Sequence, residues 1–122
     1  MRPLKVLIVE DHLETAEMIC RWTEMAGHQA RVCYTGFQAL QAAPSFQPEV
    51  VLLDLGLPDM DGWDLARSFR KDFLLSRAKI IAISAFQTND DKRRSQEAGI
   101  DYHVGKPVQR IEIVSLLAQA GS

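Results

Sequence analysis

Val50-Val51-Leu52-Leu53-Asp54 is an unbroken apolar run that closes on one aspartate, and Leu55-Gly56-Leu57-Pro58-Asp59-Met60-Asp61-Gly62 follows at once. An apolar run of this length, without polar alternation, predicts a strand buried on both faces, the environment of a parallel sheet covered by helices. Val6 to Val9 repeats the pattern and also ends in acid, Glu10-Asp11. In open α/β sheets ligands bind beyond the carboxyl ends of the strands, so carboxylates delivered there are placed for chemistry. A lone strand-end Asp is more often a plain turn residue, and its weight depends on what joins it.

The rest of the chain alternates helix and strand around these two runs. Thr15, Met18, Ile19, Trp22, Met25 and Ala26 recur at helical spacing, with Glu14, Glu17, Arg21 and Glu24 between them and Gly27 as the stop. A short strand is expected over Ala30 to Tyr34, then a helix from Phe37 to Ala43 ended by Pro44 and Pro48. After Gly62 a helix should turn Trp63, Leu65, Ala66 and Phe69 inward and Asp64, Arg67, Arg70 and Lys71 outward. Ile80 to Ile83 reads as a fourth strand ending on Ser84. Asn89 to Ala98 is a very polar helix before Gly99 and should be the most loosely packed. Ile100 to Val104 is a weak fifth strand, and Ile111, Val114, Leu117 and Ala118 mark a last helix after Lys106-Pro107. This alternation predicts an α/β fold, a flavodoxin-like, doubly wound five-stranded parallel sheet in the order 2-1-3-4-5 with five helices. Right-handed crossovers divide those helices onto both faces.

With 122 residues the chain is expected to form a single domain over 1–122, with no output domain inside it. Its 14 basic and 16 acidic residues give a net charge of −2, which argues against wrapping nucleic acid directly. Cys20 and Cys33 lack metal-site spacing and read as small, buried side chains. Met1-Arg2-Pro3 leads straight into the first strand, too short a stretch for a signal segment or a membrane span, so a cytoplasmic domain is the expectation.

On this fold the strand ends carry Glu10 and Asp11, Asp54, Ser84 and Lys106, all on one edge. Strands one and three are neighbours at the topological switch point, so the three carboxylates meet in one crevice. Crowded carboxylates repel and raise one another's pKa unless a cation joins them, which implies a hard divalent ion. Magnesium suits an open site with a few carboxylates, retained waters and an incoming phosphate. Asp54 would then be a nucleophile that takes a phosphoryl group, Glu10 and Asp11 would hold the metal, Lys106 would balance phosphoryl charge, and Ser84 would donate a hydrogen bond. An acidic pair alone is usually a solvated turn or helix cap. The joint occurrence of an acidic pair, an Asp, a Ser and a Lys on four strand ends is what carries the chemistry.

The sequence resembles the receiver domain of two-component response regulators over essentially its whole length. The resemblance rests on Glu10-Asp11, the segment Leu53 to Gly62, Ser84-Ala85, Ala98-Gly99 and Lys106-Pro107. It implies that Asp54 accepts phosphate from a histidine kinase or a histidine phosphotransfer protein. It further implies that magnesium, or manganese in its place, is bound by Asp11, Asp54 and the backbone carbonyl of Gly56, with Glu10 acting mainly through water. The Lys106-Pro107 peptide would be cis. Such a domain catalyses only its own phosphorylation and dephosphorylation. It signals by drawing Ser84 towards Asp54 and changing the surface of helix four, strand five and helix five, for a downstream partner, a tethered domain or a phosphorylation-dependent dimer. It can stand alone or belong to a hybrid kinase or longer regulator.

Two positions depart from the family pattern. Three residues before Lys106 the family usually has Tyr or Phe, and here His103 stands there as a smaller, titratable candidate for the switch. Tyr102 should point to the opposite face. Two residues after Ser84 stands Phe86, where a polar side chain is common, so slow self-dephosphorylation is expected. His12 reads as a rim residue and His28 as plain surface, while Lys92-Arg93-Arg94 reads as a solvated or partner-docking helix face beside Asp90, Asp91 and Glu97. A magnesium-dependent phosphohydrolase with an Asp nucleophile usually needs a second Asp two residues on, where this chain has Gly56. A receiver-like domain that is never phosphorylated and only binds partners is the remaining alternative, disfavoured by the complete set of site residues.

Overall fold

The computed structural model describes residues 2–85 and 88–121. Strands β1 (Lys5–Val9), β2 (Gln29–Cys33), β3 (Val50–Asp54), β4 (Lys79–Ser84) and β5 (Tyr102–Gly105) alternate with helices α1 (Leu13–Met25), α2 (Gly36–Phe46), α3 (Gly62–Lys71), α4 (Asn89–Glu97) and α5 (Arg110–Ala120). All strand pairings are parallel, and the sheet order is β2-β1-β3-β4-β5, as the alternation predicts. No helix among the described residues is long and apolar enough to cross a membrane.

Strand side chains alternate between faces, so each central strand feeds two cores. Leu7, Val9, Val51, Leu53, Ile80 and Ala82 pack with Ala39, Ala43, Trp63, Leu65, Ala66 and Phe69, which places α2 and α3 on one face. Val6, Ile8, Val50, Leu52, Ile81, Ile83 and Val104 pack with Ile19, Ile113 and Leu117, which places α1 and α5 on the other. β3 is buried along its whole length, the reason its sequence is unbroken by polar residues. Among the residues of α4 only Ser95 is buried, in keeping with its polar sequence.

The structure departs from the sequence expectations at several places. α2 runs through Pro44 and ends at Phe46, with Gln47 in the left-handed region at φ 52°. Pro44 lies in the last turns, where its fixed φ suits the helix and the missing N–H forgoes a single bond, to Leu40. The stop comes instead at Gln47, which leaves the right-handed helical region, a conformation that the following Pro48 disfavours. β5 begins at Tyr102 rather than Ile100, because the Ile100 amide is taken by the Ser95 carbonyl in the turn after α4. Met25 lies outside the core, 71% exposed, while Ala16 and Thr23 fill the inner face of α1.

His28 is buried rather than on the surface. Its Nδ1 accepts a hydrogen bond from the Leu4 amide at 3.0 Å, and Nε2 is buried without a partner. Burial lowers the pKa of this ring, outweighing the Glu49 carboxylate nearby. Arg70, expected on the solvent side of α3, is tied to three carbonyls and a carboxylate.

Candidate phosphoryl and metal site

Parallel register brings the acids together. Val9 of β1 pairs with Leu53 of β3, so Glu10 and Asp11 emerge beside Asp54. The three side chains each place an oxygen within 4.8 Å of the others, the one such group of three acids or more among the described residues. Glu10 is 1% exposed and Asp54 3%, whereas Asp11 faces solvent. The crevice therefore has two buried carboxylates at its floor and one at its mouth.

Backbone hydrogen bonds between neighbouring strand ends fix these positions. The Glu10 amide donates to the Cys33 carbonyl at 3.0 Å, the Leu55 amide to Ile83 at 3.1 Å, and the Lys106 amide to Ser84 at 3.1 Å. Asp54 Oδ1 accepts the Gly56 amide at 2.9 Å. Its Oδ2 faces Lys106 Nζ at 3.3 Å, and the same ammonium stands 3.8 Å from Glu10 Oε1. Ser84, the last residue of β4, is buried and pairs in register with Gly105. The Lys106–Pro107 peptide is cis.

The electrostatics are those of an acid cluster one cation short of balance. Glu10 is pushed up from 4.5 to about 8, by burial foremost and then by the Asp54 carboxylate, against the lowering effect of the His12 amide and Lys106. Glu10 Oε1 is buried with no hydrogen-bond partner. An all-oxygen donor set with a buried, unsatisfied carboxylate oxygen suits a hard divalent cation, so the residues present fit the metal that the sequence implies.

The response regulator receiver domain profile matches residues 6–118 of the chain. The chain belongs to this family. It is 35% identical over 115 residues to the transcriptional regulatory protein KdpE of Mycobacterium tuberculosis, covering 94% of this chain and 50% of KdpE. It is 27% identical over 106 residues to the polar-differentiation response regulator DivK of Brucella anthropi, covering 87% of this chain and 86% of DivK. The chemotaxis response regulator CheY4 of Vibrio cholerae shares the fold, with a TM-score of 0.91 at 20% identity over 97% of this chain and 98% of CheY4. This receiver domain thus spans most of one relative and half of another.

In this receiver domain His103 and Tyr102 point to opposite faces, as strand alternation requires: His103 is level with Ala82 on the α4 side, Tyr102 with Ile81 on the α5 side. His103 is half-buried with Nε2 unpartnered, and burial and then Lys92 lower its pKa against the pull of Asp91. His12 is exposed and caps α1 through Nδ1, as a rim residue would. Phe86 lies outside the described residues. Lys92-Arg93-Arg94 is more than a solvated face: Arg94 stacks 3.9 Å over the Trp63 ring and reaches Asp61 at 3.7 Å. Trp63 Nε1 donates to Ser95 Oγ at 2.9 Å, which fastens α3 to α4.

The loop from Leu55 to Asp61 carries two roles that the sequence does not advertise. Asp61 caps α3 by accepting the Trp63 amide at 2.7 Å. Asp59 reaches across to α2 and accepts the Gly36 and Phe37 amides. Gly62 has no room for a side chain, since a Cβ there would lie 2.6 Å from Leu55 Cα and 3.1 Å from the Asp54 carbonyl oxygen. The two ends of the loop therefore touch.

Proposed function

We propose that this receiver domain accepts a phosphoryl group on Asp54 from a phosphohistidine of a histidine kinase or a histidine phosphotransfer protein. The observation that carries it is the setting of Asp54: a buried carboxylate with one oxygen held by the Gly56 amide and the other facing Lys106, between two further acids. A carboxylate oxygen attacks phosphorus, the phosphorus–nitrogen bond of the donor breaks, and the imidazole leaves with the bonding pair. Lys106 answers the charge on the phosphoryl oxygens, and Ser84 Oγ donates to one of them. Glu10, Asp11, Asp54 and the Gly56 carbonyl would hold magnesium or manganese, which when bound neutralises the crowded carboxylates and the entering phosphate. Movement at Ser84 and His103 would then alter the α4, β5 and α5 surface read by a partner, a tethered domain or a second copy.

Incubation with magnesium and acetyl phosphate is expected to add one phosphoryl mass to the wild type and none to Asp54→Ala. Equal uptake by both, read by intact mass, overturns the assignment. The apolar Phe86 is expected to slow phosphoryl loss, so Phe86→Asn should shorten the half-life several-fold. An unchanged half-life refutes that role.

A further inference from the structure

We propose that Asp59 is a positioning residue that sets the width of the carboxylate crevice by tethering the Asp54 loop to the start of α2. The proposal rests on the reading of Asp54 and its metal given above. Asp59 Oδ1 accepts the Gly36 amide and Oδ2 the Phe37 amide, each at 2.9 Å. A carboxylate that engages two successive amides is fixed in orientation as well as in distance.

The helix does not need this carboxylate as its own cap. Thr35 already caps α2, its hydroxyl accepting the Gln38 amide at 3.0 Å. Asp59 takes the two amides of the first turn that Thr35 leaves over, groups without partners inside any helix and favourable to an anion. The Gly36 amide foremost holds the Asp59 carboxyl below its ordinary pKa, so the tether stays charged. The approach is close: a Cβ on Gly36 would lie 2.5 Å from Met60 Cγ, so glycine is what lets the neighbouring residue of the loop dock there.

Both ends of this tether lead to the acid cluster. On the α2 side, Cys33, the last residue of β2, accepts the Glu10 amide at 3.0 Å, and only Tyr34 and Thr35 separate it from the start of α2. On the loop side, the Gly56 amide orients Asp54 Oδ1 at 2.9 Å. Asp59 therefore links the Glu10 wall of the crevice to the Asp54 wall. Without it the loop keeps its anchors at the two ends, Leu55 to Ile83 and Asp61 to Trp63, and Gly56 between them loses lateral support.

The test uses magnesium alone as the probe, in the whole chain, by titration calorimetry. Asp59→Ala is expected to weaken magnesium binding about tenfold, the scale at which partners outside the ligand set act on a metal. Asp59→Asn, which keeps one side-chain carbonyl acceptor, should recover part of the loss. Phosphoryl uptake from acetyl phosphate should need more magnesium in Asp59→Ala and return to within about twofold of wild type once magnesium saturates. Gly36 and Phe37 amides should exchange faster with or without the ion. A lower melting temperature with unchanged magnesium affinity would make Asp59 merely structural and overturn the proposal. A wild type that binds no magnesium would instead overturn the metal reading beneath it.

Discussion

Metal-free protein is expected to lose stability as the pH rises from about 6.5 to 8, and millimolar magnesium is expected to abolish most of that loss. The cause is Glu10, which takes an ordinary value of 4.5 when unfolded and about 8 in the folded crevice. Between those values the folded state retains a proton that the unfolded chain has released. The native state then binds more protons than the unfolded one, so stability falls with pH, by up to about 1.4 kcal/mol per unit for one proton. A cation bound among Glu10, Asp11 and Asp54 would hold Glu10 ionised against the burial and the Asp54 carboxylate that raise its pKa, and binding well below pH 8 should release close to one proton.

His28 shapes the acid side of the same curve with the opposite sign. Its folded pKa is depressed by burial, so the unfolded ring takes up a proton below about 6.5 that the folded ring refuses. Stability from this group is complete above 6.5 and declines as pH falls below it. Between 4.5 and 6.5 the two groups oppose each other, and the curve should flatten there. Thermal denaturation in chelator from pH 5.5 to 8.5 checks this, with Glu10→Gln expected to lose the alkaline slope. A melting temperature that stays level or rises from pH 6.5 to 8 without metal sinks the account.

Which parts of this site are visible in sequence follows from how each residue is positioned. β1 and β3 are legible because burial on both faces leaves an unbroken apolar run, and an acid at the end of such a run stands out. Lys106 and Ser84 are legible once the parallel order is known, since each closes its own strand. Asp59 and Asp61 are not: two acids ahead of one helix look like one cap, and nothing local shows that Asp59 serves a helix that begins 23 residues earlier. His28 fails for a similar reason. A polar residue after a helix-ending glycine has the local signs of surface, and its burial depends on the Leu4 amide, 24 residues away. Pro44 misleads because a breaker near a helix end is tolerated where the lost bond is one of the last.

Arg70→Met is expected to lower stability by about 3 kcal/mol and the melting temperature by roughly 10 °C, without slowing phosphoryl uptake in the folded protein. A solvated helix-face arginine would cost little, since exposed ion pairs contribute about 0–1 kcal/mol. This one is different. Its Nε donates to the Gly99 carbonyl at 2.8 Å, Nη1 to Ala78 at 2.6 Å and Ser76 at 3.0 Å, and Nη2 to Asp101 at 2.7 Å. Asp101 Oδ2 also accepts the Ile80 amide at 2.8 Å, so one guanidinium joins the end of α3, the start of β4 and the turn before β5. The side-chain stem passes so close to Gly99 that a Cβ there would meet Arg70 Cγ at 2.7 Å, at a backbone φ of +87°. Methionine keeps much of that stem and removes every donor, leaving the Ala78 and Gly99 carbonyls short of partners and Asp101 without its counterion. Arg70→Lys should recover only part of the loss, because one ammonium cannot reach acceptors spread around a planar fork. Urea denaturation that places Arg70→Met within 0.5 kcal/mol of wild type would return Arg70 to the solvated face that its helical spacing suggests.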